Sequence, residues 1–586
     1  MTRCRRALQY LSDVWFATQV ELQGHYSVEH LQRLQHYHET TSWRRAVLVC
    51  LLTPLPCITI VLLLDTIPIE APENGAWSPR LWTRTFVTIF LCAVAFILQF
   101  RQHIHELSLP MRRILFIAAV ATVTSVGLTF LTSALVAHPL PFAMVYGTVP
   151  WFLAILSCLL WFHRAALRSS PALLRNLVRY HAVVVCQITI TVVYPLYNHV
   201  YSRLAPLEQT AFILLLPVLK IVGKNWISRW LPDSDDAKPE AIIFNIEIFH
   251  ALFVALTMQQ TTSLRTIAVL MAIDLLHAWI SFLDVAELLR LLRPLVAKLR
   301  HNRHQSATHM SRRRDGAREV GGLYRLLERV SRLVELEPEH LTAVSASFDR
   351  PAHWISRLSN RALVKVSPAV AGAPRANEAR PVGGPLTEVV LQSMRDCEPH
   401  TFKLEETRGS GAAQPMARPG LHELDSVSVV SLGLQSLTVS ERGQLVRKTL
   451  QLLFITEFIA LVEYTEVIMP VIYNACLIGF FYQPNRQYYP FLAGLSSSDL
   501  LPTAGSILLY SSLELASLVI MSVLLWWRLR LSLVHQLAFV LETRHVNVQA
   551  KLLLWVIYII QNTIVQLGAD YSFQFKWLRH DNATEA

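Results

Sequence analysis

Residues 241–287 read AIIFNIEIFHALFVALTMQQTTSLRTIAVLMAIDLLHAWISFLDVAE. Two apolar runs, 241–259 and 266–286, are joined by a short polar turn, and each has roughly the 20 residues that a helix needs to cross a bilayer. The first carries Glu247 and His250, the second Asp274 and His277, and the three-residue spacing puts each acid and imidazole on one helical face. In an antiparallel hairpin turning near Thr262, the equal rise of about 1.5 Å per residue sets Glu247 level with His277 and His250 level with Asp274. An ionised side chain at the centre of a bilayer costs about 2.5–3.5 kcal/mol on insertion scales, which marks these four residues as candidates for function.

Working outward, 53% of the 586 residues are hydrophobic and 16% charged, with a mean hydropathy of +0.36. This balance lies well above that of soluble chains. Further apolar runs fall at about 46–64, 85–100, 114–136, 143–162, 182–200, 209–223, 450–482 and 504–527, with a weaker one at 552–567. A helix satisfies its own backbone groups in lipid and an open strand does not. The expected fold is therefore all-α, a polytopic transmembrane helix bundle of 10 or 11 spans. Its expected parts are an amphipathic N-terminal segment (1–45), eight spans (46–286), a cytoplasmic insertion (287–449), two or three spans (450–568) and a tail (569–586).

Basic residues set the orientation. The N-terminal segment and the second, fourth and sixth connections hold 16 Lys or Arg, against four in the first, third, fifth and seventh, so the N-terminus is expected in the cytoplasm. Residues 1–45 show no signal-peptide core. The insertion has 25 basic and 17 acidic residues and opens on LLRLLRPLVAKLRHNRH, a basic helix suited to anionic lipid. A helical piece is expected near 320–344, and the Pro-, Gly- and Ala-rich stretches 366–385 and 407–420 are expected to be disordered. The net charge of +11 is spread between apolar runs, which orients a membrane protein and does not form a nucleic-acid footprint. The expected partners are the bilayer, anionic lipid and proteins that bind the insertion.

The later runs carry further acids. Span nine, broken or kinked at Pro470, holds Glu457, Glu463 and Glu466, and span ten holds Glu514. Three readings of the buried groups compete: polar glue between helices, an ion or proton pathway, and a di-metal carboxylate site of the Glu-x-x-His kind. Pathway candidates are Glu247, His250, Asp274, His277, Glu463 and Glu466. No Walker A loop, dinucleotide-binding glycine motif, nucleophile elbow or zinc helix occurs. No cofactor is implied, and the balance leans away from an enzyme. Asn582-Ala583-Thr584 is the only glycosylation sequon, and it faces outward if 552–567 crosses.

Four stretches resemble a large group of multi-pass membrane proteins of oomycetes: TSWRRAVLVCLLTPLPCITIVLLLDTIPI (41–69), LLLPVLKIVGKNWISR (214–229), TEFIALVEYTEVIMPVIY (456–473) and QLGADYSFQFKWL (566–578). The resemblance spans the membrane body and leaves out 287–449. That group has no assigned activity, so the resemblance implies a membrane architecture and supplies no site. The expected function is a transporter or channel-like protein for a small ion or solute, with proton coupling, in the plasma membrane or an endomembrane. The alternative is a receptor or scaffold acting through its insertion.

Overall fold

The computed structural model describes residues 18–71, 76–104, 107–136, 138–140, 142–201, 203–231, 235–260, 264–307, 438–529 and 531–567. These belong to one compact unit, 1–338 with 433–586, and among them every regular element is helical. The helical piece expected at 320–344, the disorder expected at 366–385 and 407–420, and Asn582 lie outside the described residues.

Helix starts follow local chemistry. Ser27 caps α1 (Val28–Thr40) and Ser42 caps α2 (Trp43–Leu52), each side chain accepting a backbone N–H three residues on. Thr53-Pro54 divides α2 from α3 (Leu55–Asp65). Then come α4 (Pro79–His103), α5 (Met111–Leu135), α6 (Ala143–Phe162) and α7 (Pro171–Tyr201). The run expected as one span at 209–223 is instead two pieces, Pro206–Phe212 and α8 (Leu215–Trp230). Next are α9 (Lys238–Gln260) and α10 (Leu264–Ala307), the latter carrying its apolar half straight into the basic one. A reciprocal Thr438–Glu441 cap opens α11 (Val439–Phe481), which passes Pro470 without a break. The chain continues through α12 (Ser497–Leu529), α13 (Leu533–Thr543) and α14 (His545–Gln561).

Among the described residues, seven helical segments are long and apolar enough to cross a membrane: Trp43–Asp65, α4, α5, α6, α7, Lys238–Leu256 of α9 and Ser497–Trp527 of α12. The spans expected in α8, α10, α11 and α14 are not among these seven. Charge dilutes two of them: α8 holds Lys220 and Lys224, and α11 holds Glu457, Glu463 and Glu466. Leu51, Leu63, Phe116, Val123, Trp161 and Ile520 stand exposed on the seven. Water would not tolerate so continuous an apolar exterior, and these helices point to an integral membrane protein.

Burial separates the centre from the rim. In α9, 94% of the apolar window is buried within the protein, against 28% in Trp43–Asp65 and in α12. A helix with apolar side chains on every face, as 241–256 has around Asn245, Glu247 and His250, belongs in a core. It packs against α8, α11 and α14, and α11 also meets α3, α10, α12 and α13. Among the described residues α9 and α10 each pack more extensively on α11 than on each other, unlike the close hairpin expected from the sequence.

Polar contacts gather at two opposite ends of the bundle. At one, Asp236 accepts from Ser27 N at 2.7 Å and Arg544 donates to its carbonyl at 3.4 Å. There too Tyr37 donates to Glu542 at 2.8 Å and Lys298 pairs with Glu441. At the other end, Asn485 accepts from Ile69 N and Gln566 donates to the Glu70 carbonyl.

Candidate functional site

Helix α8 presents Leu216, Lys220, Gly223 and Ile227 to the interior, a stripe at the helical spacing. Gly223 permits a close approach to α9, because a Cβ there would lie 2.8 Å from Ile246 Cδ1. The lysines flanking that contact reach carboxylates. Lys220 Nζ lies 2.8 Å from Glu247 Oε2 and donates to Glu466 Oε1 at 2.7 Å, while Lys224 Nζ lies 2.5 Å from Glu247 Oε1. Lys224 also sits 5.3 Å over the Phe458 ring, a placement that favours a cation.

More acids converge from α10, α11 and α12. Tyr510 donates to Asp274 Oδ2 at 3.3 Å. Glu514, one turn along α12 and buried, interacts electrostatically with Glu466, Asp274 and Glu463. Glu463 is 5% exposed and its Oε2 has no hydrogen-bond partner. His250 Nδ1 meets the Tyr194 hydroxyl at 3.3 Å. Five carboxylates thus face two ammonium groups, contributed by five helices, in an interior where each uncompensated charge is costly.

A cavity of about 70 Å³ adjoins the cluster, lined by Lys220, Lys224, Asp274, His277, Glu463 and Glu466. It has room for several waters. Its remaining wall includes the arm Thr18–Glu21, pinned where Asn225 donates to the Thr18 carbonyl at 2.7 Å and Gln451 to the Leu22 carbonyl at 2.8 Å. Among the described residues no group of three or more His, Cys, Asp or Glu side chains is placed to hold a metal ion, so the geometry gives the di-metal reading no support.

All six residues singled out in the sequence lie in or beside this cluster, but their pairing differs. The crosswise Glu247–His277 and His250–Asp274 contacts are not the ones formed. A lysine ammonium is a stronger partner than an imidazole for a buried carboxylate, and Glu247 turns to Lys220 and Lys224. In the sequence Lys220 sits inside an apolar run, and Lys224 falls among the charges of the expected sixth connection. Their signal was available in the Lys-x-x-Gly-Lys spacing, two cations on one face around a residue without a side chain.

Other buried ionic contacts are self-contained. Arg84 Nη2 donates to Asp65 Oδ1 at 2.7 Å and to the Tyr489 hydroxyl at 2.8 Å, and Nη1 donates to the Ile67 carbonyl at 3.2 Å. Arg84, counted from the sequence as a loop residue, is fully buried inside α4. Lys551 donates to Glu240 at 2.6 Å, and Tyr26 and His30 both meet Glu457. No family model matches the chain, and no curated protein or solved structure is detectably similar to it.

Proposed function

We propose that the protein is a membrane transporter for a small ion or solute, coupled to protons, with the Lys220–Glu247–Glu466 cluster as its pathway. The observation that carries this reading is an excess of carboxylates beside a cavity among the helices of an apolar bundle. Polar glue alone needs balanced pairs, as at Arg84. Acids beyond those that the two ammonium groups balance hold a proton or take a cation, and either can exchange.

The two polar ends support eleven crossings, the seven apolar segments plus α8, α10, α11 and α14. Helix α14 begins beside Asp236 through Arg544 and ends at Gln561, whose Oε1 lies 3.3 Å from Arg84 Nε. It therefore runs from one end to the other, sheathed by α3, α4 and α9. The basic residues favour a cytoplasmic N-terminus. Taking Lys224 and Arg84 out of their connections changes the asymmetry from 16 against 4 to 15 against 3. The insertion leaves α10 and returns on α11 close to the Lys298–Glu441 contact, which also suits a scaffold whose insertion recruits proteins.

The test is flux into proteoliposomes driven by a pH gradient. Glu247→Gln and Asp274→Asn should each abolish it while the protein still elutes as a single folded species. A scaffold would leave both variants silent and lose its phenotype on deletion of 308–437.

A further inference from the structure

A second cavity, of about 90 Å³, lies among α4, α5, α6, α7 and α14 and shares no residue with the charged one. From it we infer that a hydrocarbon chain of a bilayer lipid inserts sideways between α6 and α7. The inference needs a protein that crosses the membrane, and it does not depend on transport.

The lining disfavours a polar occupant. Among the described residues no charged side chain lines the cavity, and Thr85, Ser125, Thr129, Thr148 and Thr191 each donate to a backbone carbonyl at 2.7–2.8 Å. A hydroxyl has one proton to give, so these five have none left for water or a polar solute. Trp151 Nε1 and Gln187 Oε1 lack partners, but both atoms are buried and present no surface to it. An apolar cavity of about 150 Å³ stays dry and takes up benzene. The smaller space here suits the end of a chain, with the rest of the lipid left in the bilayer.

The gap between α6 and α7 gives the chain its entry. Helix α6 packs closely on α5 but makes no extensive contact with α7, and rings close one end of the seam, where Phe152 stacks on His181 at 5.6 Å. Away from that end, Thr148 of α6 and Ile188 of α7 line the cavity and are half-buried, beside the exposed Val149 and Val185. Both helices belong to the membrane-crossing set, so the seam opens onto hydrocarbon. On the inner wall, Gln187 Nε2 and Trp555 Nε1 donate to Asn245 Oδ1 at 2.6 and 3.3 Å. The cavity therefore reaches the immediate neighbours of the central helix α9, and it is a deep slot, not a surface crease.

The test is photolabelling of the full chain in phosphatidylcholine vesicles that contain a phosphatidylcholine with a diazirine at the end of one acyl chain, read by peptide mass spectrometry. Cys92 lines the cavity and is 8% exposed. Val123, 61% exposed, is the outer standard, since each residue lies near the middle of its 25-residue helix. In the wild type, Cys92 should be labelled within about threefold of Val123. Ile188→Trp, which fills the gap from α7, should lower that ratio about tenfold, and Thr148→Trp, which fills it from α6, serves if Ile188→Trp does not fold. Cys92 labelled tenfold or more below Val123, or a ratio unchanged in a folded gap-filling variant, would overturn the inference. Either result leaves the transport reading untouched, because flux plays no part in the measurement.

Discussion

Two buried ionic clusters sit in the same bundle and are built on opposite principles. At Arg84 one guanidinium meets one carboxylate, and the remaining donors go to Tyr489, Gln561 and the Ile67 carbonyl, with Arg84, Asp65, Tyr489 and Gln561 all buried. At Lys220 two ammonium groups face five acids beside a cavity. A planar fork saturated by fixed partners rigidifies. A flexible ammonium shared between two carboxylates, beside a cavity that further acids line, is poised to change. The comparison separates ionic groups that hold the fold from those that can exchange.

Breaking the first cluster should cost the most. Arg84→Met leaves Asp65 buried without its cation, and losing one partner of such a pair costs about 3–5 kcal/mol. Recovery of monodisperse protein from detergent should collapse; near-normal recovery would mean that the pair is not structural.

Gly223→Leu comes next. Its side chain must enter space held by Ile246, and overpacking of this kind costs about 1–3 kcal/mol. Because the strain falls beside Lys220 and Lys224, transport should fall further than the melting temperature suggests. Gly223→Ala meets only the flexible end of Ile246 and should be mild. Equal effects of the two would argue against a tight α8–α9 contact.

Accessibility sharpens the contrast at lower cost. Ser281 lines the charged cavity, whereas Thr88, one turn from Arg84, is sealed and donates to the Arg84 carbonyl. In otherwise intact protein, Ser281→Cys should react with a small charged thiol reagent at least about tenfold faster than Thr88→Cys. Equal rates would erase the distinction between an open and a closed cluster.

The smallest effect is at the surface. Burial, then the neighbouring His535 imidazole, lowers the His38 pKa below its ordinary 6.5; the rings are 4.6 Å apart. With the folded value below the unfolded one, the unfolded chain takes up protons first as the pH falls. Stability should be flat above about pH 6.5 and decline below it, and His38→Gln should flatten that decline. An unchanged slope would assign it to other groups.

Much of the architecture was legible because apolar runs of membrane length carry their own boundaries. The six site residues stood out because each acid or histidine interrupts hydrocarbon. What the sequence hid was partnership. Lys220 is one cation in LLLPVLKIV, diluted by its neighbours, and only three-dimensional packing shows that it meets Glu247 and Glu466. Arg84 reads as a loop charge because α4 begins five residues before it, behind Ser78-Pro79, earlier than the apolar run suggests. Equal depth is a sound deduction for two adjacent helices, but α11 takes up the packing that the α9–α10 hairpin was expected to make.

The most direct test of the central claim is cation flux through Glu466→Gln in proteoliposomes, normalised to folded protein. The exchanging cluster predicts a loss of at least about tenfold with the melting temperature within a few degrees of wild type. Flux at the wild-type rate in a folded Glu466→Gln protein would contradict it and leave the Lys220 cluster as structural as the one at Arg84.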